Sequence, residues 1–189
     1  MTWLLPKATP GDIGFPLLEM KIKPILEMKI KPKIIYTRDK LIHSDLDNIR
    51  TLLVRCQVFE PFEIEWVVEM MRQTLFDQNI DYHWIIFGDA EGVVAFSCYG
   101  EILKERPGRY DFYWFAVDPV LQGQGIGTQL IMVTKSFALT KGAEWAYIET
   151  ADSNVSAKSL YEKCGFREMG RLESYYGEGR DKLIYGGRL

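Results

Sequence analysis

The stretch from Val117 to Leu130, VDPVLQGQGIGTQL, limits the folds open to this chain more than any other, because an apolar strand, a glycine-rich turn and an amphipathic helix follow one another without a spacer. Before it, Tyr110 to Val117 alternates and is aromatic, as suits a buried pleated strand. Asp118-Pro119 ends that strand, since proline cannot continue a hydrogen-bonded ladder. Gly123, Gly125 and Gly127 carry no Cβ, so their backbone can approach an anion closely. Beyond them Leu130, Ile131, Thr134, Phe137 and Ala138 recur at helical spacing, and Gly142 is placed to end the helix. The unpaired amides of this turn, those of Gln124, Ile126 and Thr128 included, and the positive end of the helix dipole would face a pyrophosphate. A bare strand-to-helix turn is the simpler account, but three glycines in five residues cost backbone entropy that such a turn does not require.

Two common phosphate patterns do not fit. The spacing G-x-G-x-G is not the dinucleotide fingerprint G-x-G-x-x-G, and no Lys-Ser/Thr pair follows as a P-loop demands. The chain has 189 residues, 47% of them hydrophobic, which is enough for one compact soluble domain with a full core. Its net charge of -3 implies no general nucleic-acid field. The charge is uneven: residues 1–40 carry 8 Lys+Arg against 4 Asp+Glu, and the remainder 15 against 22, an acidic body that favours a cationic substrate such as an amine. Ordinary solubilising surface charge accounts for the same excess. Cys56, Cys98 and Cys164 stand far apart in apolar surroundings, and His43 and His83 lack ligand spacing, so neither a disulfide framework nor a metal site is expected. No apolar run is long enough to span a bilayer and the opening residues lack a signal-peptide core, which reads as a cytoplasmic protein without a membrane partner.

Residues 1–32 form an extension in which LEMKIKP occurs twice, at Leu18–Pro24 and Leu26–Pro32. Its alternation suits an edge strand or an arm pairing with a second subunit, and a flexible tail suits it equally. From 33 to 189 the pattern is that of a single domain. A strand is expected at Ile34–Thr37, then a helix capped by Ser44 and running to about Arg55. A second helix opens at Pro61, with Ile64, Val67, Val68, Met71 and Leu75 on one face. Strands at Tyr82–Phe87 and Val93–Tyr99 flank a hairpin turn. After the glycine-rich helix come a strand at Trp145–Thr150, a helix from about Asn154 to Cys164, and a closing hairpin from Phe166 that turns at Gly177-Glu178-Gly179. This order predicts an α/β (α+β) fold with a mixed, mostly antiparallel sheet of about seven strands flanked by helices.

Gln122, Gly125 and Gly127 match Q/R-x-x-G-x-G/A, and Asn154, Tyr161 and Cys164-Gly165-Phe166 follow in order. On these residues the span from about 33 to 189 resembles the GNAT superfamily of acyl-CoA-dependent N-acyltransferases, with some likeness to the branch that acetylates the N-terminal alanine of a ribosomal protein. The resemblance implies that Gln122 to Thr128 hold the pyrophosphate of acetyl-CoA. It also implies that the backbone of Phe115, Ala116 and Val117 splays from its neighbouring strand, and that Asn154 contacts the pantetheine arm. No metal is implied. Tyr161 takes the place of the general acid and Glu149, 12 positions earlier, that of the general base. Tyr175 and Tyr176 take places that hold an incoming peptide. Asp111 and Tyr113 in the aromatic strand are further acceptor-side candidates able to relay a proton.

The chemistry suits these residue types. Acyl transfer to an amine needs loss of a proton from an ammonium near pKa 10, fixed N–H dipoles for the developing oxyanion, and a proton for the departing thiolate, which a phenol can give. The expected acceptor is an amine-bearing small molecule or a peptide N-terminus, and the expected self-association a homodimer through the arm or a sheet edge. Residue by residue, plainer roles exist: Tyr161 shares an apolar helical face with Ala157, Leu160 and Cys164, Asn154 is a natural helix cap, and paired tyrosines are common in hairpins. A non-catalytic CoA-binding module or a nucleotide-binding protein are the competing functions.

Overall fold

A computed structural model describes residues 36–77 and 80–189, so the expected arm at 1–32 and the start of the first expected strand lie outside the described residues. In chain order the elements are β1 (Tyr36–Arg38), α1 (Asp45–Cys56), α2 (Pro61–Phe76), β2 (His83–Asp89), β3 (Gly92–Glu101) and β4 (Arg109–Val117). A short 3-10 turn (Pro119–Leu121) follows, then α3 (Ile126–Thr140), β5 (Trp145–Ala151), α4 (Val155–Lys163), β6 (Arg167–Leu172) and β7 (Lys182–Arg188). The strands form one seven-stranded sheet in the order β1-β2-β3-β4-β5-β7-β6. Only β4 and β5 run parallel; every other pair is antiparallel. The mixed, mostly antiparallel sheet expected from the element order is therefore present.

Each face of the sheet has its own core. On one face Ile49, Leu52 and Leu53 of α1 and Ile64, Val67 and Met71 of α2 bury Trp84, Ile86, Phe96 and Cys98. On the other, Leu130, Ile131 and Ala138 of α3 and Tyr161 of α4 close over Phe87, Tyr99, Phe112, Ile148 and Tyr185. Two-sided burial explains why β2 and β3 read as continuous apolar runs and not as an alternation. Among the described residues no helix is long and apolar enough to cross a membrane.

One register shift controls the centre of the sheet. Cys98 pairs with Trp114 but Tyr99 pairs with Phe112, so Tyr113 is an extra residue in β4, a β-bulge. The even alternation expected through Tyr110–Val117 is broken there. Phe112 points to the α3 face, and the bulge puts Trp114 on the α1–α2 face and Phe115 back on the α3 face. A bulge bends its strand and increases the local twist. Pairing of β4 with β5 accordingly covers only Arg109–Phe112 against Trp145–Ile148 and stops at the bulge. Past that point the two parallel strands diverge into a split.

Element ends depart from expectation where a tertiary contact decides them. Among the described residues the first strand covers Tyr36–Arg38, one residue beyond the expected end at Thr37, and pairs with Ile86–Gly88 of β2. Ser44 occupies the N-cap of α1 without making a side-chain cap bond. Asp45 organises that corner instead: its fully buried carboxylate accepts two hydrogen bonds from Arg38, at 2.7 and 3.0 Å, and one from the amide of Ile42 at 2.8 Å. Asp45 thus ties β1 to α1, and its removal leaves the Arg38 guanidinium and an amide without their partner. Asp45→Ala is expected to lower the unfolding free energy by about 2–3 kcal/mol, and Ser44→Ala to change it by less than about 0.5 kcal/mol, both read from urea denaturation.

Candidate functional site

The glycine-rich turn is built as an anion cradle. Asp118 is buried, accepts from the Val120 amide at 3.1 Å and pairs with Arg55 of α1, which fixes where the chain leaves β4. Gln122 then reaches back, its Nε2 donating to the Val117 carbonyl at 3.0 Å, so this side chain ties the turn to the strand. Gly123 and Gly125 take φ of +70° and +84°, and beyond their immediate chain neighbours no atom lies within 4 Å of where either Cβ would be. Gly125 is the N-cap of α3, no side chain caps that helix, and its first turn holds no acidic residue. The first bond inside the helix comes from the Gln129 amide to Gly125 at 3.1 Å, which leaves the amides of Ile126, Gly127 and Thr128 open at the positive end of the dipole. At Gly127 the missing Cβ has another use: it would stand 3.1 Å from Leu160, so glycine here lets α4 pack close to α3. Gln129 Oε1, two positions on, is buried without a hydrogen-bond partner. Open amides, an undefended helix N-terminus and a Cβ-free surface fit a diphosphate.

The cradle opens beside the split. The Asp118 amide donates to Val94 of β3, so by strand alternation the amides of Phe115 and Val117 point the other way, to the side where β5 no longer pairs, and that of Ala116 does not. Asn154 caps α4, its Oδ1 accepting from the Ala157 amide at 3.1 Å, and is chosen for this over its neighbours Asp152 and Ser153. Tyr161 is buried, its ring edge-on to Phe166 and Tyr185. Burial first, then the nearby phenols of Tyr176 and Tyr185, hold its hydroxyl well above the ordinary phenol range, so it stays a proton donor.

The opposite face of the split carries charge. Asp111 is level with Tyr147 of β5, and Glu149, on the same face two residues along, is the first residue of β5 past the last paired position. Burial lifts the Asp111 carboxyl from near 3.8 to about 6, Glu149 adding to the rise and Lys182 opposing it. Lys182 of β7 donates to Glu149 Oε2, and its ammonium lies 4.0 Å from the centroid of the Tyr175 ring. Tyr175 in turn stands edge-on to Tyr176 at 5.0 Å. Tyr113, at the bulge, meets Tyr82 edge-on at 5.5 Å, and burial followed by Asp111 raises its phenol. The β6–β7 connection is longer than the expected three-residue turn, spanning residues 173–181, with the Asp181 carboxylate binding Arg171 and the Ser174 amide. Among the described residues no group of three or more His, Cys, Asp or Glu is arranged to hold a metal.

The acetyltransferase (GNAT) family profile matches residues 46–166, a segment that runs from α1 through the cradle to the end of α4. The chain belongs to that family. Among curated relatives it is 39% identical over 84 residues to the uncharacterised N-acetyltransferase YvbK of Bacillus subtilis, a match covering 44% of this chain and 54% of that protein. It is 26% identical over 119 residues to the ribosomal protein bS18 alanine N-acetyltransferase of Haemophilus ducreyi, covering 61% and 79%. A solved GNAT-family structure from Desulfovibrio desulfuricans superposes with a TM-score of 0.74 at 25% identity, over 81% of this chain and 98% of that one. The chain thus spans about half the length of the Bacillus relative and nearly all of the solved structure.

Within this GNAT fold the residues singled out in the sequence fall into three groups. Gln124 to Thr128 lie at the cradle, with Gln124 bonded to the Val120 carbonyl at 3.2 Å. Phe115, Val117, Asn154 and Tyr161 belong to the α3–α4 side, and Asp111, Tyr113, Glu149, Tyr175 and Tyr176 to the face opposite. Sequence reading missed Lys182. Its only sequence signal is its place at the start of the last strand, two residues from Ile184, which is level with Glu149. The Asp111 shift has a consequence for stability. Because its carboxyl titrates higher in the folded chain than in the unfolded one, the folded chain binds the proton more tightly between about pH 4 and 6, and stability falls as pH rises through that window. Asp111→Asn is therefore expected to raise stability by about 1–2 kcal/mol at pH 7.5, a figure reduced for partial exposure, and to give no gain below about pH 4. Urea midpoints at the two pH values measure it.

Proposed function

We propose that the chain transfers an acetyl group from acetyl-CoA to a primary amine by direct attack. The observation that carries this reading is the split between β4 and β5, with open helix-α3 amides on one side and a half-buried carboxyl raised to about 6 on the other. The main-chain amides from Gly123 to Thr128 bind the diphosphate, those of Phe115 and Val117 face the thioester arm and its developing oxyanion, and Asn154 at the start of the next helix contacts the pantetheine arm. Acetyl-CoA supplies the activated acyl carbon: the new N–C bond forms there as the C–S bond breaks.

Asp111 takes the ammonium proton in this account. It is favoured over Glu149, whose carboxylate is already held by Lys182, because a base near pKa 6 is mostly free at neutral pH yet stronger than an ordinary aspartate. Tyr161 returns a proton to the sulfur, its hydroxyl kept protonated by burial. Tyr175 and Tyr176 flank the acceptor entrance. The alanine N-acetyltransferase relative supports an amine acceptor, with a peptide N-terminus and a small amine both within this class. The packing of the Tyr161 ring against Phe166 and Tyr185 favours a second reading, in which the chain binds CoA without catalysis and Tyr161 is structural.

A panel of amines and peptides incubated with acetyl-CoA, read by free thiol and product mass, separates the two. Transfer is expected, with Tyr161→Phe lowering kcat by about 10- to 100-fold. Asp111→Asn is expected to lower kcat/KM by about 100-fold or more and to abolish the limb that rises through pH 6. Binding of acetyl-CoA without release of CoA across the whole panel would leave the binding-module reading in its place.

A further inference from the structure

The charge at the acceptor side of the split is not that of a plain acidic pocket. Two carboxylates, Asp111 and Glu149, lie on one face where β4 and β5 part, which by themselves would attract a dication. Lys182 changes this balance. Its ammonium binds Glu149 Oε2 and rests against the Tyr175 ring, and its side chain is only 14% exposed, so the ammonium is built into the wall of the site. Of the neighbouring rim charges, Asp181 is paired with Arg171 at 2.9 Å, while the Glu63 carboxylate of α2 accepts from the Glu60 amide and keeps its charge, within electrostatic reach of Tyr176. Of the two carboxylates where β4 and β5 part, Asp111 is thus the one without an ion-pair partner, with the fixed cation of Lys182 nearby.

We propose that Lys182 is a specificity-determining residue of the acceptor site: by occupying Glu149 with its own ammonium, it selects acceptors whose reacting amine is their only cationic group nearby, and disfavours diamines and polyamines. The inference rests on the acetyl-transfer reading and deepens it. A single ammonium pairs directly with Asp111, which forms no ion pair with Lys182, so its attraction outweighs the repulsion from the more distant cation. A second ammonium a few bonds away meets Glu149 only where Lys182 already holds it and is repelled by the cation in the wall. Specificity here comes from an introduced repulsion as much as from an attraction. Shortening Lys182 to a neutral side chain would release Glu149 and turn the same site into one that holds two positive charges.

The test uses acceptor pairs that differ by one ammonium: an alkylamine against the diamine of equal chain length, and peptides with Met against Lys at the second position. The readout is the ratio of kcat/KM within each pair for the full chain, Lys182→Met and Lys182→Arg. Wild type is expected to prefer the singly charged member. Lys182→Met, which keeps the apolar stem, is expected to shift the ratio roughly tenfold toward the dication, the size expected of one unit charge about 6–8 Å away under partial screening, and the shift is expected to shrink in high salt. Lys182→Arg, which keeps the charge, is expected to retain the wild-type ratio. An unchanged ratio in Lys182→Met overturns the inference while leaving acetyl transfer intact, and equal shifts in both variants overturn it in favour of a purely geometric role. No turnover of any member by wild type overturns the transfer reading itself, and the inference with it.

Discussion

At Tyr113 one residue too many has been fitted into β4, and the consequences reach every part of the site. A parallel pair of strands ordinarily satisfies its backbone along its whole length. Here the bulge bends β4 so that pairing with β5 ends at Phe112, and the amides of Phe115 and Val117 lose their strand partner. The same extra residue reverses which face each following side chain meets. Trp114 goes to the α1–α2 core and Phe115 to the α3 core, while Asp111 stays on the face it shares with Glu149. A break in the pairing through the middle of the sheet, with open backbone donors beyond it, follows from one insertion.

The cradle and the split depend on each other through the chain between them. Asp118, buried and paired with Arg55, sets the exit from β4, and Gln122 clamps the turn to Val117, so the N-terminus of α3 is fixed relative to the strand end. Ser97 and Thr134, whose hydroxyls meet at 2.6 Å in the core, hold the middle of α3 to β3. Rigid placement matters because open amides stabilise charge only if they need not reorganise to do so. Asp111 shows the cost of the arrangement: a half-buried carboxyl raised to about 6 is a burden on stability at neutral pH, and the same shift is what the proposed base role would use.

Much of this was legible in the linear chain. Helix α2 begins at Pro61 as its pattern requires, with Ile64, Val67, Val68 and Met71 buried as their spacing predicts, although Leu75 lies only at the margin of the core. Gly123 and Gly125, expected for the missing Cβ atoms, leave that surface open and also adopt positive φ, and Asn154 caps its helix. What failed did so for local reasons with distant causes. Ser44 was read as a cap because its type is right, yet the neighbouring Asp45 takes over the corner through Arg38, a contact made across the β1–α1 connection. The alternation in β4 was read as unbroken because a bulge inserts a residue without changing composition.

By itself, the sequence determined the elements, their order, the glycine turn and the helix that follows it, since these depend on backbone freedom and on periodicities of a few residues, properties carried by neighbours in the chain. Tertiary structure alone decided where β4 leaves β5, which of Asp111 and Glu149 is free, and that Lys182, 33 positions beyond Glu149, holds the latter. Strand register and side-chain pairing between distant segments set those outcomes. Both arise from energies of packing and charge that exist only once the sheet has brought the segments together.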